Sequence, residues 1–375
     1  MIERFAFSPS SSYPRPFARL VNRNGELLHT WAHPAAQPTE ADNPPTWLRG
    51  WNHVEVAPDG GLFALVPLHA VLRLDRDSHL MWITEIPAHH DLYSWPDGSA
   101  HVLTEVPRVV EVDRQPWTIL DNEVVALDSL GRISGRWSLY DVLSNDRDMA
   151  KLLGAAVAAG RDRHLTLGPH HPATTDLLRT GRKPGTERDV LRALRSISGR
   201  PSDMLHANAL EPLSAHPAGL WGDGCWLLSF RELDLIAVID FDSCRLVWWW
   251  GPGILSGQHQ PSAQADGRVL LYDNGRAHRR TRLLEVDPGT NRLTWEYAPP
   301  GLFAAVAGGC ERLPQGTVLV TDPQVGRAFE VDRSGRELWS WTVPARDCPP
   351  GQSRVSIYRF AAVDPARASR AVGED

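Results

Sequence analysis

The chain is poor in the features that mark several large classes of protein. Cysteine occurs four times (Cys225, Cys244, Cys310 and Cys348), with no CxxC pair. That spacing offers neither a disulfide framework nor a zinc ribbon, so reduced thiols in or near the core are expected. No apolar run approaches the ~18 residues of a membrane-spanning helix. The opening stretch MIERFAFSPSSSYPRPF holds no apolar segment of signal-peptide type, so a cytoplasmic protein without a membrane partner is expected. Basic clusters are also missing. With a net charge of -6 and no polybasic tract, the 375-residue chain has no electrostatic footprint for nucleic acid.

What is abundant is tryptophan, fifteen against six tyrosines, and its placement is periodic. A turn followed by a short strand ending in Trp recurs as GELLHTW (25–31), DSHLMW (77–82), GRISGRW (131–137), SCRLVWW (243–249), GTNRLTW (289–295) and GRELWSW (335–341). The closing tryptophans, Trp31, Trp82, Trp137, Trp249, Trp295 and Trp341, are 51, 55, 112, 46 and 46 residues apart. Apolar runs ending in Asp precede most copies: AVLRLD, EVVALD, LIAVID, RLLEVD and RAFEVD. Upstream of five copies lies a second hairpin, as in VEVAPDGGLFALV and SAQADGRVLLYD. Four short strands per unit, repeated at this period, predict an all-β, six-bladed β-propeller spanning 1–375 as one domain. The first copy lacks an inner hairpin, and the C-terminal SRVSIYRFAAV lacks a partner. The two termini are therefore expected to share one blade and close the ring. One large ring per blade reads as packing between neighbouring sheets.

The long interval marks an insertion at about 141–204, expected to be helical and loop-like and able to cover one mouth. DMAKLLGAAVAAG predicts a helix capped by Asp148 and stopped at Gly160. TERDVLRALRSISG predicts a second helix ending at Gly199, and RHLTLGPHHPATTD between them reads as loop.

In a propeller the innermost strand of each blade runs along the central channel, and the second strand returns to the mouth where the first began. The inner-strand starts carry His53, His90, His206 and His259. The second-strand ends carry Glu105, Arg231, Asp273, Asn274 and Asp322. These positions are far apart in sequence and are expected to meet at one opening. Imidazoles beside a guanidinium suit group transfer. A neutral imidazole is nucleophilic near neutral pH, arginine binds oxyanions through paired hydrogen bonds, and a second imidazole can move the proton. Two alternatives stand beside this one. His53, His90, His206 and His259 form a donor set for a transition metal, in a lyase, isomerase or oxygenase. The ring is otherwise structural, in a non-catalytic binding propeller.

WSLYDVL, LHANALEP, LLSFRELDLIAVID and GQHQPSAQADGRVLLYDNG occur in the order seen in the arylsulfate sulfotransferase family, PAPS-independent enzymes with six-bladed propellers, which the chain resembles over about 50–345. The family's His-x-Asn is matched by His206 and Asn208, its arginine by Arg231 and its Gln-His pair by Gln258 and His259. His90 resembles the histidine of an earlier blade. Glu232 stands where the family has histidine, and Gln260 where many members have aspartate. The resemblance implies transfer of a sulfuryl group from an aryl sulfate to a phenol through a sulfated histidine, with no cofactor. His259 is then the nucleophile, His206 and Arg231 neutralise the sulfuryl oxygens, and His90 binds that group or handles the phenolic proton. His53, Asn208, Asn274 and Tyr93 are the expected contacts to a small aromatic substrate, with Tyr93 stacking on its ring at the mouth.

Overall fold

The computed structural model describes residues 3–9, 16–32, 50–164, 166–181, 203–348 and 355–374. Six antiparallel four-stranded sheets form the ring of a six-bladed β-propeller. The first blade is β1 (Arg4–Pro9), β2 (Phe17–Asn22) and β3 (Leu27–Ala32), completed on its inner edge by β24 (Ile357–Ala362). Five blades follow in chain order from the channel outward. They are β4 (Val54–Val56), β5 (Leu62–Val66), β6 (Ala70–Leu74) and β7 (Leu80–Thr84); then β8 (Ala88–Ser94), β9 (Ala100–Val112), β10 (Gln115–Leu127) and β11 (Ile133–Ser138). The fourth is β12 (Ala207–Pro212), β13 (Trp226–Phe230), β14 (Leu235–Asp240) and β15 (Arg245–Trp250). The fifth is β16 (His259–Ala263), β17 (Val269–Asp273), β18 (Arg282–Asp287) and β19 (Arg292–Tyr297). The last is β20 (Gly309–Arg312), β21 (Val318–Asp322), β22 (Arg327–Val331) and β23 (Glu337–Thr342). The pairing of β1 with β24 makes the two ends of the chain neighbours, the closure expected from the unpartnered terminal repeats.

The sequence pattern follows from this stacking. Middle strands are covered on both faces by adjacent blades, so LFALV of β5 and VLLYD of β17 are buried at every position. Continuous apolar runs are what such strands require. Outermost strands keep one face in water and alternate, as in RLTWEY of β19. The core is accordingly a set of wedges between sheets. Leu62, Leu72 and Leu74 pack on Ala18, Leu20 and Trp31 between the first two blades, and Leu227, Ile236 and Val238 pack on Val269, Leu271 and Leu284 between the fourth and fifth.

The repeating tryptophans hold the rim. The indole N–H of Trp82, Trp295 and Trp339 donates to the backbone carbonyl of Ser129, Arg333 and Arg23 in the next blade (3.1, 3.0 and 2.8 Å). In the fourth blade Trp248, not Trp249, makes this contact, to Asn291 Oδ1 at 2.9 Å; Trp249 is 38% exposed. In the last blade Trp339 makes the hydrogen bond, while Trp341 packs on Phe7 and Phe360 of the first blade, with ring centroids 4.9 Å from each. A second lace runs around the channel, where the innermost strands present unpaired backbone edges. Carboxyl groups of Glu55, Asp91, Glu211 and Glu311 accept the N–H of Ser94, Leu210, Ala263 and Ala362 on the following blade (3.0, 3.1, 3.2 and 3.1 Å).

The insertion departs from expectation in several places. β9 and β10 run 13 residues each, longer than any other strands, and the bridge between Thr118 and Leu167 ties the insertion to this extension. α1 (Leu139–Ser144) has no counterpart in the sequence reading. α2 (Arg147–Asp162) is capped by Asp146, with Asp148 inside its first turn, and Gly160 lies within the helix rather than ending it. The stretch read as loop contains α3 (Pro172–Thr180), for which Pro172 supplies a pre-set first-turn φ. The helix expected up to Gly199 lies outside the described residues. Met149, Leu153 and Val157 of α2 join Leu139, Leu205 and Phe230 in one apolar cluster, which anchors the insertion beside the start of β12. After β24 the chain forms α4 (Pro365–Val372), capped by Asp364. No described helix is long and apolar enough to cross a membrane.

Candidate active site

The site lies where the inner strands begin. His89 and His90 are the second and third residues of β8, His206 immediately precedes β12, and His259 opens β16. Arg231 and Asn274 directly follow β13 and β17, whose ends return to the same mouth. Bulges aim these side chains. Strand register shifts between Ala88 and Leu92, between Ala207 and Ala209, and between His259 and Ser262. At the same three places His90, His206 and Gln260 take left-handed backbone angles (φ 63°, 45° and 42°), a conformation that costs energy outside glycine and asparagine. An ordinary strand would alternate its side chains; the bulges turn them toward one another instead.

His259 is 2% exposed, and its tautomer is fixed by its neighbours. Asn274 Nδ2 donates to the carbonyls of Ala304 and Ala307 (2.7 and 2.9 Å), so its Oδ1 must face the imidazole. His259 Nδ1 therefore donates to Asn274 Oδ1 at 2.7 Å, and Nε2 carries the lone pair. Burial, with the positive charge of Arg231 next in weight, lowers the pKa of His259 to about 3. The ring is neutral at physiological pH.

Arg231 is buried, and its Nε and Nη2 converge on Glu232 Oε1 (2.9 and 2.8 Å). The same oxygen accepts from Arg276 Nη1 at 3.0 Å. Glu232 thus sits between two guanidiniums and holds the plane of Arg231.

His90 and His206 meet through their Nε2 atoms at 2.9 Å, with ring centroids 4.4 Å apart. Two residues absent from the sequence-based site extend this pair. His89 Nδ1 lies 2.6 Å from His90 Nδ1. Asp203 Oδ1 accepts the His206 backbone N–H at 3.1 Å while its Oδ2 bonds His206 Nδ1. The signal for both was in the sequence: an adjacent His-His pair, and an Asp three residues before a histidine, the spacing at which a carboxylate reaches back to a turn N–H. Burial, reinforced by His206, His89 and Arg231, keeps the pKa of His90 well below the ordinary histidine value, and burial lowers that of His89 as well.

Other expected contacts go elsewhere. Asn208 Nδ2 donates to Gln258 O at 2.8 Å, bracing the fourth blade against the fifth. Asp273 is buried against Arg282 (2.6 Å) and the N–H of Ser256 (2.9 Å). His53 turns to Asp91 Oδ1 at 3.4 Å, an oxygen shared with Arg359 Nη1 at 3.0 Å. Tyr93 does not reach the mouth. Its ring packs on Trp95 and Trp226, 5.0 and 6.2 Å away, further along β8 from His90. His53, Tyr93 and Gln260 instead line a channel cavity of about 490 Å³. Among the described residues no group of three or more His, Cys, Asp or Glu side chains is arranged to hold a metal ion.

Fold and site together define a six-bladed propeller that gathers imidazoles and a guanidinium at one mouth. The chain belongs to the arylsulfotransferase (ASST) family, which matches residues 69–343. No curated protein matches it. Among solved structures, a protein of unknown function from Bacteroides caccae is similar at 11% identity and a TM-score of 0.53, with 97% of this chain and 99% of that chain covered. A protein from Lactobacillus plantarum is similar at 11% identity and a TM-score of 0.45, with 97% and 100% covered. The first likeness shows the fold alone; the second is too distant to carry an argument.

Proposed function

We propose that this protein transfers a sulfuryl group from an aryl sulfate to a phenol through a sulfated His259. Family membership supports transferase chemistry of this kind, and one observation carries the assignment of the nucleophile. His259 is a neutral imidazole whose Nδ1–H is held by Asn274, with its Nε2 lone pair in a pocket that also holds Arg231 and His206. In the first half-reaction Nε2 forms a bond to sulfur, and the sulfur–oxygen bond to the aryl group breaks with its electron pair going to the aryl oxygen. Arg231 and His206 stabilise the sulfuryl oxygens as charge redistributes, the role of pre-organised cationic donors. The leaving phenolate takes a proton at the His90–His206 pair. In the second half-reaction the acceptor phenol returns that proton, its oxygen attacks sulfur, and the nitrogen–sulfur bond breaks. So written, the cycle uses no metal or nucleotide cofactor.

The test is incubation with p-nitrophenyl sulfate and a phenol. Nitrophenol release is expected, with a sulfuryl adduct on the intact protein that disappears in His259→Ala. Absence of release across a panel of aryl sulfates overturns the reading, as does an adduct that persists in the variant.

A further inference from the structure

The His90–His206 contact is the inner part of a longer chain. Asp203 Oδ2 bonds His206 Nδ1, His206 Nε2 meets His90 Nε2 (2.9 Å), and His90 Nδ1 meets His89 Nδ1 (2.6 Å). Every contact in this row needs one proton between its two atoms. Two nitrogen lone pairs facing each other at such distances repel, and buried polar atoms pair. Filling the three contacts takes one proton each, which with neutral rings fixes His206 as the Nδ1–H tautomer, His90 as Nε2–H and His89 as Nδ1–H. In that arrangement the proton between the two Nε2 atoms belongs to His90, and its removal would leave an imidazolate. One more proton, at the far nitrogen of His89, changes this. Shifts across the two nitrogen contacts then make His206 the imidazolium, with His90 carrying Nδ1–H and His89 carrying Nε2–H. Loss of the shared proton from this state leaves three neutral rings, with the two Nε2 lone pairs opposed until a proton returns between them.

Resting on the sulfuryl-transfer reading, we propose that Asp203 and His89 are positioning residues that hold the His90–His206 pair with one exchangeable proton between the two Nε2 atoms, Asp203 balancing its charge. That proton passes to the leaving phenolate oxygen as the sulfur–oxygen bond breaks, and the acceptor phenol restores it. Atoms balance over the cycle with no proton drawn from solvent.

The surroundings select His206 as the ring that carries the charge. It is the one bonded to a carboxylate, whereas burial lowers the proton affinity of His90 and His89. The charged groups facing the row are Arg231, Glu232 and Glu105, with His259 and the ring of Tyr358 beside His90. Burial pushes Asp203 up to about 6, opposed by His89 and Arg231, which still leaves it mainly a carboxylate at neutral pH.

The experiment compares two donors in three proteins: wild type, Asp203→Asn and His89→Gln. A p-nitrophenolate leaves readily without a proton, while the phenolate from phenyl sulfate does not. General acid catalysis is worth ~10²–10⁴-fold, so the ratio of phenyl sulfate to p-nitrophenyl sulfate turnover is expected to fall by ~10² in Asp203→Asn. His89→Gln is expected to lower the same ratio less. The alkaline limb of the phenyl sulfate profile is expected to move to lower pH in Asp203→Asn, because a cation without its counter-charge loses its proton earlier. Equal losses on both donors, with no movement of the limb, overturn the proposal. A proton inventory in mixed light and heavy water on the wild type needs no variant to fold. A normal isotope effect with a linear plot, from one proton in motion, is expected for phenyl sulfate, and the absence of any isotope effect on phenyl sulfate overturns the proposal. Wild type inert to both donors refutes the sulfuryl-transfer reading instead, so the two failures are distinct.

Discussion

Replacing Arg231 by methionine separates its charge from its packing. The side chain is buried, and methionine roughly preserves its aliphatic volume. Glu232 loses the Nε and Nη2 contacts at 2.9 and 2.8 Å but keeps Arg276 at 3.0 Å, so no carboxylate is left uncompensated. The backbone N–H of Arg231, bonded to His206 O at 3.2 Å, is untouched. Stability should therefore fall by ~1.5–3 kcal/mol, the scale of a charged hydrogen bond. Catalysis should suffer more. Removing a pre-organised donor from developing charge costs ~10²–10³ in kcat. The pH profile makes the test sharper. Arg231 is the second cause, after burial, of the depressed His259 pKa of about 3. Without it the imidazole holds its proton to higher pH, so the acid limb of kcat/KM on p-nitrophenyl sulfate should move up. Because burial remains, the limb should stay below the free histidine value of ~6.5. Kinetics from pH 3 to 8, with thermal melts to confirm folding, give all three readouts. A rate loss under ~3-fold, or an acid limb that moves down, would refute the electrostatic role, since one cationic donor is argued to supply at least ~10²-fold.

Two further perturbations probe the supports of the site. Asn274→Ala should free His259 to populate the wrong tautomer, lowering kcat/KM about tenfold for the loss of one buried hydrogen bond of ~1.4 kcal/mol. It should also lower the melting temperature, because the carbonyls of Ala304 and Ala307 lose their donor, at ~1–3 kcal/mol each if water does not replace it. In the channel, burial raises the Glu211 carboxyl to about 8 while it accepts the Ala263 N–H. A carboxyl raised on folding binds more protons in the native state, so its contribution is present at low pH and lost as pH rises toward 8. Glu211→Gln, which mimics the protonated acid, should therefore melt higher than wild type at pH 9 and show no such advantage at pH 5; an advantage confined to pH 5 contradicts the sign.

The ring was legible in the sequence because its signal is repetitive. Burial of the middle strands on both faces demands continuous apolar runs, and each turn demands its Gly or Asp, so six imperfect copies reinforce one another. The helical insertion is a single event with no such averaging. Its helix α2 is capped two residues earlier than Asp148 suggests, at Asp146, and α3 was hidden behind a proline that reads equally well as a loop. Within the site, the strand-start histidines were recoverable from topology, and Arg231 and Asn274 from the return of the second strand. Asp203 was recoverable only from local spacing, three residues before His206, because it lies outside any strand and a count along the strands does not reach it. Tyr93 was misplaced for a different reason. It was assigned to the mouth only through the resemblance, and it lies three residues further along β8 than His90, beside Trp95 and Trp226.

Those bulges explain how a channel lined by β-strands acquires chemistry at all. A regular inner strand presents alternate residues to the channel, and side chains from opposite blades point across it without touching. Chemistry needs nitrogen atoms at hydrogen-bond distance, as between His90 and His206 (2.9 Å) and between His89 and His90 (2.6 Å). Adjacent residues of a regular strand face opposite ways, so the His89–His90 contact requires the strand to be broken where it occurs. The left-handed backbone at His90 supplies that break, and those at His206 and Gln260 repeat it on the next two blades. Strain of ~1–3 kcal/mol at each position persists only where surrounding structure holds it. Here the holders are the wedges between sheets and the carboxyl lace below. Gln260 shows the coupling: its Oε1 lies over Gly309, so a side chain on the next blade at that point would displace the Gln260 amide. Gln260 thus meets its neighbour on the channel side, while His259, one residue earlier, is fitted to Asn274.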